Sequence, residues 1–311
     1  MSEAVSSAVR VVAVVVTWNR PDLFVESLAA LRAQTVALAD IVVVDNASDV
    51  SVAPLVGDAR LVTLPENTGG AGGFTVGIAE AMALDPDYVW LMDDDTIPTP
   101  TALEELLEVA SHAPASARVF GSRVVWTDGR DHPMNTPRVR PFASRAAIAA
   151  AAAHHAYPVR SISFVSVMFD ARAIREFGLP VAEYFLWNDD FEYTARILRH
   201  HTGFVATKSV VVHKTAVFGS TDVDPGPRFR LEVRNKLWLL RKSPALSPAE
   251  RVLYAGATAR FWARTFARSS NRAVLREGLR AGWREGRSGA PRANSDVLSA
   301  TPSVEAVKSF E

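Results

Sequence analysis

The sequence predicts an α/β protein built on a mostly parallel sheet with helices on both faces, and three observations carry that prediction. The early strands are continuous β-branched runs such as Arg10-Val-Val-Ala-Val-Val-Val-Thr17, as suits strands buried on both faces. Strand-like and helix-like segments alternate at short spacing through the first third of the chain. Polar residues gather where those strands end, which is where an open parallel sheet binds its ligands.

The elements follow in order. After the first strand, Pro21 opens a helix through Ala33, with Asp22 in its first turn. Ile41 to Asp45 and Arg60 to Leu64 are the next strands, Gly72 to Leu84 a helix, and Tyr88 to Met92 a fourth strand. Thr99 to Ala110 is helical and Arg118 to Trp126 strand-like. Thr127 to Pro158 is rich in Pro, Arg and His around an Ala run, which predicts loops and one short helix. A strand over Ile162–Phe169, helices over Ala171–Phe177 and Asp189–His200, and a strand over Phe204–Val212 follow. Helices are expected over Arg228–Arg241 and from Pro248 to about Gly286. The domain expectation is a core over 8–242, a basic amphipathic extension over 243–287, and a Ser/Ala/Pro-rich disordered tail over 288–311.

Composition excludes several classes. The chain has 311 residues, 48% hydrophobic and 22% charged, so it can bury a globular core. Its 34 basic residues balance its 34 acidic ones, so no global field argues for nucleic acid. Without cysteine, any metal must be held by carboxylates, imidazoles and water. Residues 1–9 lack a basic leader and Val11–Val16 is too short to span a bilayer, so a cytoplasmic location is expected.

Chemistry concentrates in a few segments. Trp90-Leu-Met-Asp-Asp-Asp95 sets three carboxylates side by side at a strand end, where they repel one another unless a divalent cation sits among them. Hard oxygen ligands suit Mn2+ or Mg2+. Strand alternation places Asp93 and Asp95 on one side and Asp94 on the other, so one acid can meet a ribose while others reach the ion. A capping turn is the plainer alternative. Asn67-Thr-Gly-Gly-Ala-Gly-Gly-Phe74 lets backbone approach a ligand, though it matches neither a dinucleotide fingerprint nor a P-loop. In Trp187-Asn-Asp-Asp-Phe-Glu192, the acids Asp189, Asp190 and Glu192 crowd a helix start; the helix dipole favours them there, and a general base is the functional alternative. His213 ends a strand as a possible further ligand. Asp45, after the second strand, is equally well a cap or a ligand-binding residue.

Taken together, these residues resemble the family-2 inverting glycosyltransferases of the GT-A fold, over about Val11 to Lys242. The resemblance rests on Val15-Val-Thr-Trp-Asn-Arg-Pro21, Val43-Val-Asp-Asn-Ala-Ser48, Asn67 to Phe74, Trp90 to Asp95, Asn188 to Glu192 and His213. Within the family, the glycine stretch and Arg234-Asn-Lys236 look most like bacterial galactofuranosyl- and rhamnosyltransferases of cell-envelope glycan synthesis. The resemblance implies that Thr17, Asn19, Arg20 and Asp45 hold the nucleoside, with Asn67, Gly69 and Gly70 lining the donor. It implies Asp93 and Asp94 at the ribose or metal, Asp95 as principal metal ligand joined by His213, and Asp190 as the base. Trp187, Asp189, Glu192, Arg234 and Asn235 would serve the acceptor or support these groups. Trp18 departs from the usual Tyr but keeps an aromatic ring. UDP-galactofuranose and dTDP-rhamnose are the donors implied, and a lipid-linked glycan the acceptor.

Glu250 to Arg287 carries nine arginines, seven of them every four residues from Arg260 to Arg284, and Gly278 and Gly282 are expected to weaken the helix. Such a helix attracts anionic lipid or an acceptor diphosphate, which places the protein peripherally at the inner face of the membrane. A haloacid-dehalogenase-type phosphatase is the rival enzyme, because it too sets Asp-x-Asp after a strand. It leaves the three upstream strand ends unused, and Ile97 stands where its motif wants Thr or Val. An inactive sugar-nucleotide-binding protein is the non-enzyme alternative.

Overall fold

A computed structural model describes residues 9–219 and 224–311. Residues 1–8, where no leader is expected, and 220–223, inside the expected core domain, lie outside it. The strands are β1 Val11–Thr17, β2 Asp40–Asp45, β3 Arg60–Thr63, β4 Tyr88–Asp93, β5 Thr96–Pro98, β6 Ala117–Val125, β7 Arg138–Val139, β8 Ala156–Ser161, β9 Ser166–Asp170 and β10 Thr202–His213. The helices are α1 Pro21–Arg32, α2 Gly69–Met82, α3 Ala102–His112, α4 Arg145–Ala153, α5 Ala171–Phe177, α6 Asp189–Leu198, α7 Phe229–Arg241, α8 Pro248–Arg268, α9 Arg272–Ser288, α10 Asn294–Val297 and α11 Val304–Lys308.

One sheet runs β3-β2-β1-β4-β9-β6-β10-β8-β7, with β5 paired to β10. β3, β2, β1 and β4 are parallel, and β6 is parallel to β10, while β9, β8 and β5 run against their neighbours. The expected parallel sheet is therefore present, with antiparallel strands inserted in its second half. Alternation along β1 divides the core. Val12, Val14 and Val16 pack under α2 with Phe74 and Ile78, whereas Val11, Ala13 and Val15 pack against α1 and α3 with Phe24, Leu28 and Leu106. Burial on both faces is why β1 needs an unbroken apolar run.

Four expectations change. The strand expected over Ile162–Phe169 is two pieces, β8 ending at Ser161 and β9 starting at Ser166. The long basic helix breaks at Ser269–Asn271, where Asn271 caps α9 by accepting from the Val274 amide. Its glycines are a packing face rather than weak points. A Cβ on Gly282 would lie 2.3 Å from the Arg230 carbonyl, so only glycine lets α9 approach α7 this closely. The tail expected to be disordered instead forms α10 and α11, because it has apolar anchors. Leu298 and Val307 are fully buried in the α2-side core.

α8 is tied to the core through one buried cation. Arg160 on β8 donates to Glu250 and to the carbonyls of Ala195 and Ala245. One face of α8 also packs, with Tyr254 against Phe191 and with Trp262 and Phe266 against Phe229, and the other face is open, with Val252 and Leu253 at 74% and 72% exposure. No helix among the described residues is long and apolar enough to cross a membrane.

Candidate active site

The carboxyl ends of β1, β2 and β4 converge, and two loops are clamped there. Asn19, in the left-handed region at φ 56°, bridges to the turn after β2: its backbone amide donates to Ser48 Oγ, and its side chain exchanges hydrogen bonds with Asp49. Asp45 is buried and accepts from the Ser48 amide at 2.9 Å, the capping role that was one of its two alternatives.

Past β4 the chain turns through Asp94 and Asp95 into β5. Thr96 pairs with His213 across the antiparallel β5–β10 ladder, and this register brings a residue more than a hundred positions away beside the acid turn. Asp93, Asp95 and His213 each offer a ligand atom within 4.8 Å of the others. Asp94 faces the other way, as alternation predicted. It accepts from Thr17 Oγ1 at 2.9 Å, from the Trp18 amide at 3.2 Å and from Arg20 at 3.4 Å. Arg20 also donates to Asp95 Oδ2 at 2.6 Å. Thr17 and Arg20, expected to hold the nucleoside, have their side chains engaged with the acid turn.

The donor set fits a divalent ion. His213 Nδ1 lies 2.8 Å from Asn135 Oδ1, an acceptor, so Nδ1 carries a proton and Nε2 is the atom turned to Asp95. Against burial, Asp95 raises the imidazole, and loss of the Nε2 proton would give a metal its lone pair. Asp95 Oδ1 is buried and lacks a hydrogen-bond partner, although Nε2 is 3.1 Å away. Burial and the neighbouring Asp95 push the Asp93 carboxyl up to about 7. Asp94 rises to about 6, mainly by burial against the pull of Arg20. Burial acts on Asp95 in the same direction, but His213 and Arg20 outweigh it and hold that carboxyl below its ordinary range. Such mutual repulsion is what a bound cation relieves. Asn135 and its neighbour His132, whose ring lies 5.0 Å from that of His213, went unnoticed in the sequence because 127–158 matched no pattern.

The glycine segment forms the first turn of α2, which starts at Gly69 and not at the expected Gly72. Asn46 holds its start, accepting from the Thr68 amide and donating to the Gly69 carbonyl. Asn67 accepts from the Gly69 amide at 2.8 Å. Gly69, at φ 70°, sits where a Cβ would be 2.0 Å from the Phe185 carbonyl, while Gly70 faces open space in the cavity.

That cavity, of about 570 Å3, has Asp93 and His213 on one wall and Trp187, Asp189 and Asp190 on another. The loop before α6 carries three non-glycine residues at positive φ: Phe185, Trp187 and Asn188. It is held by α7. Asn235 donates to the carbonyls of Tyr184, Leu186 and Trp187, and Arg234 to those of Glu183 and Tyr184. Both residues position the loop and not a ligand. Glu192 is likewise structural, accepting from Ser243 and Arg196 beneath the site. Asp190 accepts from the Phe191 amide, and burial raises its carboxyl despite that bond and the charges of Lys236 and Arg138. Burial, then Asp190 and Asp93, push Asp189 well above the usual range.

A parallel sheet whose acidic strand ends share a cavity with carboxylates on a helix start is the architecture of GT-A sugar transferases. Residues 12–170 match the model for Glycosyl transferase family 2, and the chain belongs to that family. It is 30% identical over 278 residues to galactofuranosyltransferase GlfT1 of Mycobacterium tuberculosis, covering 81% of this chain and 87% of that one. It is 38% identical to GlfT1 of Mycolicibacterium smegmatis over 113 residues, 35% of this chain and 37% of the relative. Among solved structures, S. aureus TarS aligns with TM-score 0.60 at 15% identity, over 97% of this chain and 53% of that chain. The mannosyltransferase PcManGT from Pyrobaculum calidifontis, in complex with GDP-Man and Mn2+, aligns with TM-score 0.53 at 17% identity, over 96% and 86%. The chain thus spans about half of TarS, and these two likenesses speak to fold alone. The protein is a glycosyltransferase, and the phosphatase alternative falls.

Proposed function

We propose that this protein is a metal-dependent, inverting hexosyltransferase that moves a sugar from a nucleotide-diphosphate donor to a lipid-linked cell-envelope glycan. The observation that carries the proposal is the Asp93–Asp95–His213 cluster, with Asn135 fixing the imidazole tautomer, at one cavity with Asp190. UDP-galactofuranose is the first candidate donor, because the two curated relatives are galactofuranosyltransferases; dTDP-rhamnose is the second.

Asp93, Asp95 and His213 would hold Mn2+ or Mg2+, which when bound neutralises charge on the departing diphosphate. Asp94, tied down by Thr17 and Arg20, keeps the acid turn in place. Gly70 leaves room for the donor at the start of α2. Asp190 takes the proton of the attacking acceptor hydroxyl, and its raised carboxyl is better matched to that work near neutral pH. One base and no enzyme nucleophile give a single displacement and inversion. Asp189 feels the charge of both Asp190 and Asp93. The exposed arginines of α8 and α9 favour docking on an anionic membrane surface.

Incubation with Mn2+ and candidate sugar nucleotides tests the proposal. Donor hydrolysis or transfer with UDP-galactofuranose supports it, and binding without any turnover would mark the protein as an inactive sugar-nucleotide binder. Flotation with anionic but not neutral vesicles is the expected membrane result.

A further inference from the structure

Two cations at the cavity make no ion pair among the described residues, although both lie near enough to Asp190 to pull its carboxyl down. Lys236, on α7, is partly buried, and among the described residues its Nζ forms no hydrogen bond or ion pair; it lies 5.6 Å from the centre of the Phe191 ring. Arg138, on β7, is exposed, with its guanidinium 5.2 Å from the same ring and 5.3 Å from that of Tyr254. Glu232, one turn before Lys236, acts on it through space but makes its hydrogen bonds with Asn188 and Trp262 instead. The contrast with Arg160 and Arg234 is plain, because both of those spend their donors on carbonyls and carboxylates. An ammonium carries three donors, and those of Lys236 are left for an acceptor in the cavity. Two cations from distant segments, meeting over one aromatic ring beside the single carboxylate of Asp190, point to a further anion.

Resting on the transferase reading, we propose that Lys236 and Arg138 form an anion-binding subsite that holds a phosphate or carboxylate of the acceptor, close to the hydroxyl that Asp190 deprotonates. The donor's diphosphate is assigned to the Asp93–Asp95–His213 wall, which leaves this wall for the second substrate. Phe191, Tyr254 and Phe261 supply aromatic faces on which a sugar ring can lie. Arg138 comes from the 127–158 segment, of which the rest of the mechanism uses only Asn135. Charge on the acceptor, not only its hydroxyl geometry, then decides which glycans are extended.

Calorimetric titration of the full-length protein in EDTA, which keeps phosphate off the metal site, provides the test. The probes are glucose 1-phosphate, methyl glucuronide and neutral methyl glucoside. Wild-type protein should prefer one of the anionic probes over methyl glucoside by roughly tenfold, the worth of one charge-assisted hydrogen bond, and lose the preference as salt rises. The anionic probe that wins tells phosphate from carboxylate. Lys236→Met and Arg138→Met should abolish the preference and Lys236→Arg should retain it, with melting curves confirming that each variant folds. Equal binding of charged and neutral probes, or an undiminished preference in both methionine variants, overturns the subsite. Wild-type turnover of sugar nucleotides with Mn2+ separates the two claims: turnover without anion preference sinks only the subsite, whereas no binding of any sugar nucleotide sinks the transferase reading.

Discussion

Two groups of acids face one cavity and are built in opposite ways. Asp93–Asp95 ends a central strand, and side chains from other segments restrain it: Thr17 and Arg20 on Asp94, Arg20 and His213 on Asp95. Asp189 and Asp190 open a helix after a loop of positive-φ residues, and their carboxylates take hydrogen bonds from backbone amides of that first turn. The first group is acidic yet braced by cations, an arrangement that can accept one ion in fixed geometry. The second is buried, and the nearby charges of Lys236 and Arg138 do not offset that burial, which raises its proton affinity. Acidic composition is common to both, and on the proposed reading the surroundings divide the labour between metal binding and proton transfer.

The sharpest break in that contrast is Asp190→Asn. Donor affinity should hold while transfer slows by about 10^2- to 10^4-fold, the usual worth of a general base. Near-normal turnover by initial-rate assay would remove Asp190 from the role. Wild-type kcat should also fall on the acid side at a higher pH than an ordinary carboxylate would give, since Asp190 is ionised only above its raised pKa.

Next in size is Asn135→Ala, which touches only the first group. Losing the acceptor for His213 Nδ1–H frees the imidazole tautomer and should weaken Mn2+ binding by about 10- to 100-fold, measured by paramagnetic resonance. Gly282→Ala does the converse. Its methyl group would press on the backbone of α7, which holds the Trp187–Asn188 loop through Asn235. Stability should drop by about 1–3 kcal/mol, with activity impaired and metal affinity kept.

The smallest effect is expected from Glu250→Gln, at about 1–2 kcal/mol by denaturant unfolding, for loss of a charged partner of buried Arg160. Burial raises this carboxyl, but Arg160 and Ser247 overcome that and bring it down to about 2. A lowered folded-state value means the contribution is complete above the unfolded value of 4.5 and disappears as pH falls through about 2. The variant should therefore differ from wild type at neutral pH and converge with it in acid.

Much of the donor half was legible because its signals are local. Buried parallel strands need continuous β-branched runs, and the acids follow directly in the chain. The Asp93–Asp95–His213 grouping was legible through the resemblance, whereas the β5–β10 register that creates it was not. Asn135 escaped because its meaning depends on an imidazole seventy-eight residues away. The α9 glycines looked like weak points, since a helix-propensity argument cannot see the α7 backbone that requires them. The tail looked disordered because its two deepest anchors, Leu298 and Val307, are isolated in a polar, Ser- and Ala-rich stretch.

Mn2+ titration of the wild-type protein and of Asp95→Asn, each with and without UDP, tests the metal-site account most directly. The account predicts a single ion bound by wild type, held more tightly once UDP is present, and lost in the variant. Failure of the wild-type protein to bind any divalent ion in the presence of UDP or a sugar nucleotide would contradict it.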